Sequence, residues 1–119
     1  MRLVGDHPNV LQYRLQLGST YTNLGELEIR RLQPARGMPW LTKAIETFDW
    51  VLEREPRNAT GRYFQSYTLA KKARALDALY RSSEAVPLWE RAMELDDRDD
   101  AELREGFNAS RARIAGSGS

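Results

Sequence analysis

The sequence predicts an all-α protein. Apolar residues recur at three- and four-residue spacing in five successive segments. No segment shows the strict apolar–polar alternation of a half-buried strand. Proline, asparagine, serine and aspartate breaks separate the segments, and the chain resembles itself at a shift of 48 residues, as from Pro39 to Pro87.

The first helix opens at Asp6-His7-Pro8. Proline is tolerated in a first turn, where its missing N–H has no intrahelical partner to lose. To about Arg31 the apolar positions are Val10, Tyr13, Leu17, Tyr21, Leu24 and Leu27, broadened by Leu11, Leu15 and Ile29. Gly18 and Gly25 lie seven apart on one face. Each costs ~1 kcal/mol against alanine in a helix, so a closely packed second helix is the expected reason for both. Gln33-Pro34 breaks the pattern.

The second helix carries Leu41, Ala44, Ile45, Phe48, Val51 and Leu52. It ends at Glu55-Pro56-Arg57-Asn58, because a residue before proline disfavours helical dihedrals. The third runs from about Ala59 to Leu79 with Tyr63, Tyr67, Ala70, Ala73, Leu76 and Leu79. Arg81-Ser82-Ser83 is the next turn, and either serine can be the N-cap. The fourth helix carries Val86, Trp89, Ala92, Met93 and Leu95, and Asp96 to Asp100 ends it. A last helix, about Ala101 to Ile114, has Leu103, Phe107 and Ile114 to cover what precedes it.

Pro39 and Pro87 fall inside helical patterns, where an interior proline costs ~3 kcal/mol or more. The 48-residue shift pairs them. It also pairs Gly37 with Ala85, Ala44 with Ala92, Glu46 with Glu94, and Gly25 with Ala73. With Ser83 as N-cap, Pro87 would be the fourth helical residue and would remove no backbone bond. Pro39 lies deeper in a helix that starts at Pro34, so a slight kink or a later start is expected there. A two-helix period of this size indicates an α-solenoid.

These residues resemble the tetratricopeptide repeat (TPR) family, whose pattern is an aromatic, Leu-Gly, an aromatic, then a small residue twelve positions after the Gly and an aromatic four further on. Tyr21, Leu24 and Gly25 match in the first repeat, with Gly37 in the small-residue place and Leu41 in the aromatic one. Ala73, Leu76, Ala85 and Trp89 match in the second. Glu28 stands where the second aromatic belongs, Lys72 replaces the leucine, and Leu32 and Tyr80 occupy turn positions where the family often has glycine. Pro56 follows Gly37 by nineteen residues and not twelve, so the repeats are elongated. More narrowly, residues 7 to 114 resemble TPR regions carboxy-terminal to the kinase domain of planctomycete-type bacterial serine/threonine protein kinases. The sequence carries no Gly-rich loop, H-R-D or D-F-G of its own.

The expected organisation is one helical repeat domain over 1–115: repeat one at about 8–56, repeat two at about 58–97 and a capping helix at about 101–114. Residues 116–119 read as a flexible tail or linker.

Composition narrows the function. Eighteen basic residues against seventeen acidic ones make no electrostatic case for a nucleic-acid binder. The absence of cysteine removes thiolate chemistry and points to the cytoplasm. No apolar run approaches the ~18 residues of a membrane span. His7, the single histidine, sits at a helix start and reads as part of that start. The acidic run Glu94 to Glu105 lacks the alternation and glycine of a calcium loop, and acids at a helix start serve as caps. No metal, cofactor or catalytic constellation is expected. Tyr13, Tyr21, Tyr63, Tyr67, Trp40, Trp50, Trp89 and Phe48 read mostly as core, with Tyr63 and Tyr67 equally suited to contact a peptide.

The expected function is a non-catalytic protein- or peptide-binding scaffold. The resemblance implies a concave groove lined by the first helix of each repeat. On that surface Thr22, Glu26, Arg30, Tyr63, Tyr67, Lys71 and Arg74 are the candidate partner-binding residues. Thr22 and Glu26 stand where clamp-type repeats that hold acidic chain ends use asparagine and lysine, so that ligand class is not expected. The alternative is a structural spacer or self-association module of a multidomain kinase-like protein.

Overall fold

The computed structural model describes residues 8–117. Five helices follow one another: α1 (Pro8–Arg30), α2 (Pro34–Arg54), α3 (Ala59–Ala78), α4 (Ser82–Leu95) and α5 (Ala101–Ser117). No strand occurs among the described residues. Helix α5 continues to Ser117, so the segment expected to be a flexible tail begins helical. The helix start expected at Asp6-His7 lies outside the described residues.

Each helix packs mainly on its neighbour in sequence, so α1–α2 and α3–α4 are hairpins and α5 closes the series. Helix α3 also touches α1 and α5 on either side, which makes these three one layer and α2 and α4 the other. The body measures 58 × 29 × 19 Å. One core cluster joins Leu15, Ala44, Phe48 and Val51. A larger one runs from Leu52 through Leu69, Ala73 and Trp89 to Leu103 of α5. Phe107 packs against that second cluster, as the sequence implies for a covering helix.

The 48-residue correspondence is physical at the hairpin turns. Leu32 and Tyr80 both adopt left-handed backbone, with φ of 61° and 60°. The next N–H reaches back five residues in each case, Gln33 to the Glu28 carbonyl at 2.9 Å and Arg81 to the Leu76 carbonyl at 2.8 Å. This is the Schellman closure, in which glycine usually takes the left-handed position.

Both following helices then start in one register. Pro34 and Ser82 are the first residues, Gly37 and Ala85 the fourth, Pro39 and Pro87 the sixth. Neither serine is the N-cap of α4: Arg81 is, without a side-chain cap bond, and the Ser82 hydroxyl instead donates to Asp77 at 2.7 Å. Pro87 is therefore past the four leading N–H groups, and the lost bond is the one to the Ser83 carbonyl.

The small residues explain themselves at the crossings. A Cβ on Gly37 would stand 2.7 Å from the Gly25 carbonyl oxygen, and one on Gly25 would stand 2.6 Å from the Leu41 side chain. Gly18 leaves room for the Phe48 ring. Ala73 and Ala85, their counterparts in the second hairpin, are fully buried.

Helix α1 corrects the sequence reading. Its buried face is Leu15, Gly18, Thr22 and Gly25, with Leu11 packed against the first core cluster and Ile29 near Gly37. The more regular stripe of Val10, Tyr13, Leu17, Leu24 and Leu27 joins neither cluster, and Tyr13 is 60 % exposed. Of the eight aromatics read mostly as core, only Phe48 and Trp89 are fully buried; Tyr13, Tyr63 and Tyr67 are exposed.

Polar side chains secure the ends. Asn58 caps α3 by accepting from the Gly61 N–H at 2.8 Å. Asp96 accepts from the N–H groups of Arg98 and Asp100, and Asp100 accepts from that of Glu102 at the start of α5. Asp77 ties three helices together by accepting from Ser82, from Ser110 at 2.6 Å and from the Trp89 indole N–H at 3.2 Å.

Candidate peptide groove

The layer of α1, α3 and α5 carries two adjoining cavities that share Tyr63 and Tyr67. The first, of about 130 Å³, lies between α1 and α3, with Phe48, Phe64, Thr22 and Thr68 beneath the two tyrosines and Ser19 and Asn23 on the α1 side. The second, of about 180 Å³, lies between α3 and the start of α5, and Lys71, Arg74 and Arg98 line it together with Asp96, Asp100 and Glu102.

Helical periodicity explains the shared tyrosines. Tyr63, Tyr67, Lys71 and Arg74 are four, four and three residues apart, so they form one stripe of α3. Tyr63 and Tyr67 are 43 % and 39 % exposed, large enough values to leave their rings open to a ligand. Their inner neighbours are buried: Gln65 donates to the Ile45 carbonyl at 3.1 Å and to Asp49 at 2.8 Å. Burial pushes the Asp49 carboxyl above its usual range, against the lowering effect of that Gln65 bond.

Glu26 of α1 meets this stripe. Its carboxylate accepts from the Tyr67 hydroxyl at 2.5 Å and pairs with Lys71 at 3.2 Å. The Lys71 ammonium also lies 5.0 Å from the centre of the Tyr67 ring. Tyr67 is pushed up to about 12, first by partial burial and then by its bond to the Glu26 carboxylate, while the charge of Arg30 acts in the opposite sense.

The seven residues expected from sequence divide accordingly. Glu26, Tyr67 and Lys71 form one cluster, and Tyr63 and Arg74 extend it into the second cavity. Thr22 is only 4 % exposed. Its hydroxyl donates to the Gly18 carbonyl and lies 2.8 Å from that of Thr68, so it is a floor residue that joins α1 to α3. Arg30 is exposed near the end of α1, outside both cavities.

Sequence reasoning missed Phe48 and Phe64 as the floor, and Arg98 as a wall. Phe48 reaches the cavity from the other layer, through the space that Gly18 leaves. Arg98 comes from the α4–α5 loop, where no periodicity exists to orient a side chain, and its guanidinium lies 4.3 Å from the centre of the Tyr63 ring. Arg74 is held similarly, 5.3 Å from the Trp89 ring. Both cations are thus positioned by aromatic faces.

Among the described residues no group of three or more His, Asp or Glu side chains is placed to hold a metal ion. No helix there is long and apolar enough to cross a membrane. His7 lies outside the described residues. Comparison with protein-family models, with curated proteins and with solved structures finds no match.

Proposed function

We propose that this chain is a TPR-like scaffold that binds an extended protein segment on the surface formed by α1, α3 and α5. The observation that carries the reading is the pair of adjoining cavities around Tyr63 and Tyr67. One is apolar-floored and of side-chain size, and the other is lined by charge. Exposed tyrosines beside arginines supply rigid contact area with polar ends, the composition typical of binding hot spots. The first cavity takes an apolar side chain of the bound segment. Arg74 and Arg98 engage its backbone carbonyls or a carboxylate beside it.

The Gly25–Gly37 crossing and the full burial of Ala73 and Ala85 at the equivalent places support the TPR reading, because that family packs its paired helices through small residues at these places. On this reading the chain is a cytoplasmic, non-catalytic part of a larger bacterial protein, of the kind found beside kinase domains. The test is affinity capture from cell lysate with identification by mass spectrometry. The double variant Tyr67→Ala, Arg74→Ala should lose the captured partner while keeping its helical circular dichroism. Undiminished capture by a folded variant excludes the groove.

A further inference from the structure

Among the described residues α1 is apolar on two faces, and the core clusters take up only one of them. The other carries Val10, Tyr13, Leu17, Leu24 and Leu27, of which Tyr13 and Leu27 are exposed and the rest half-buried. With Thr20 these are separated by three, four, three, four and three residues, the spacing of a coiled-coil seam ~26 Å long at 1.5 Å per residue.

The internal repeat says what such a face does. Shifted by 48, Tyr13, Leu17, Thr20 and Leu27 become Gly61, Gln65, Thr68 and Ala75 of α3, all buried. Gly61 lies against Leu52, Gln65 reaches Ile45 and Asp49, and Thr68 reaches Thr22, so this is the face that docks on the preceding hairpin. Shifted by a further 42, the offset between the starts of α3 and α5, Gly61, Gln65 and Thr68 become Leu103, Phe107 and Ser110. Leu103 and Ser110 are buried and Phe107 is packed on the core. Helices α3 and α5 thus use these positions to bind another helical layer.

We propose that the outer face of α1 docks on the same face of a second copy of this chain, antiparallel about a two-fold axis. The far end of the stack offers it no apolar match, because α5 exposes Arg104, Glu105, Asn108 and Arg111. A self-complementary stripe is what an isologous interface requires. Charge selects the antiparallel direction. Glu28 and Arg14, whose guanidinium lies 4.5 Å from the centre of the Trp50 ring, are two heptads apart and flank the same edge of the seam near its opposite ends. Antiparallel pairing brings the arginine of each copy to the glutamate of the other, and sets Tyr13 beside Leu24 and Val10 beside Leu27 across the axis. This inference is independent of the groove, which lies on another side of α1, and it gives the self-association reading a surface.

Sedimentation of the full chain from micromolar to millimolar concentration tests it. The wild type should pass from monomer to dimer. Leu17→Glu should weaken the dimer by a hundredfold or more, about 2.7 kcal/mol, with unchanged circular dichroism. Tyr13→Glu, at a more exposed position, serves the same purpose if Leu17→Glu perturbs the fold. The chain has no cysteine to interfere with cross-linking. Mixed Tyr13→Cys and Leu24→Cys proteins should therefore oxidise chiefly to the heterodimer. The groove variant Tyr67→Ala, Arg74→Ala should dimerise normally. A monomer at every concentration overturns the proposal, as does a dimer indifferent to both glutamate variants or a cysteine mixture that gives mainly the two homodimers.

Discussion

The Tyr67 hydroxyl and the Glu26 carboxylate, 2.5 Å apart, couple the groove to pH. The tyrosine pKa is raised from 10.0 to about 12 by burial and by that bond. A raised value means that the folded state holds the proton more tightly than the unfolded chain. The contribution to stability is therefore complete below pH 10 and is lost as pH rises through about 12. Absorbance titration of the folded protein should find one tyrosine ionising near 12, and Glu26→Gln should move that transition down towards 10. An unchanged titration in the Glu26→Gln protein would show that burial alone is responsible. Asp77 shows the opposite use of a carboxylate. Its three neutral donors come from α4 and α5, and Arg113 lies 3.5 Å away, so it serves the packing of the cap and not the groove.

At the scale of the element, the hairpin turns store strain. Leu32 and Tyr80 are 85 % and 96 % exposed, so their side chains gain almost nothing from burial while their backbones sit in the left-handed region. That conformation costs a side-chain-bearing residue roughly 1–2 kcal/mol. Glycine removes the cost but adds unfolded-state entropy. Leu32→Gly and Tyr80→Gly should each raise the unfolding free energy by about 0.5–1 kcal/mol in urea titration. Because the two turns share one geometry, the two gains should be similar and nearly additive. The prolines mark the other half of this device. Pro39 and Pro87 recur at the sixth helical position, where the first turn has already been closed by Gly37 N–H to Gln33 and Ala85 N–H to Arg81, both at 3.2 Å.

The whole molecule is a short stack whose two ends differ. Helix α5 presents Leu103 and Phe107 inward and charged residues outward, which makes it a cap. Trp89 depends on it: its indole N–H donates to Ser110 at 2.9 Å, and Gly106 leaves space for its ring. A chain ending at Asp100 should lose that cover. Its thermal midpoint should fall by roughly 10 °C or more, and its tryptophan emission should shift to the red. An unshifted melting curve would show that the two hairpins suffice. At the other end α1 presents an apolar outer stripe among the described residues, and this asymmetry motivates the second copy as its occupant.

The number and order of the helices were legible, and their limits to within a few residues, because they depend on local terms: apolar period, proline, and asparagine or aspartate at helix starts. The equivalence of Pro39 and Pro87 was legible for the same reason. Which side of α1 is buried was not. Its outer stripe is the more regular apolar pattern, whereas its inner face is marked by Gly18, Thr22 and Gly25, residues that carry little hydrophobic signal but let α2 and α3 approach. The α3 stripe of Tyr63, Tyr67, Lys71 and Arg74 could be read from spacing, since one helix places it. The Phe48 floor, the Arg98 wall and the Glu26–Tyr67 bond could not, because each joins residues from different elements. The sequence alone determined the helices and their repeat, through interactions within a few residues. Only the tertiary structure decided which faces meet, because that choice rests on steric fit between small residues distant in the chain.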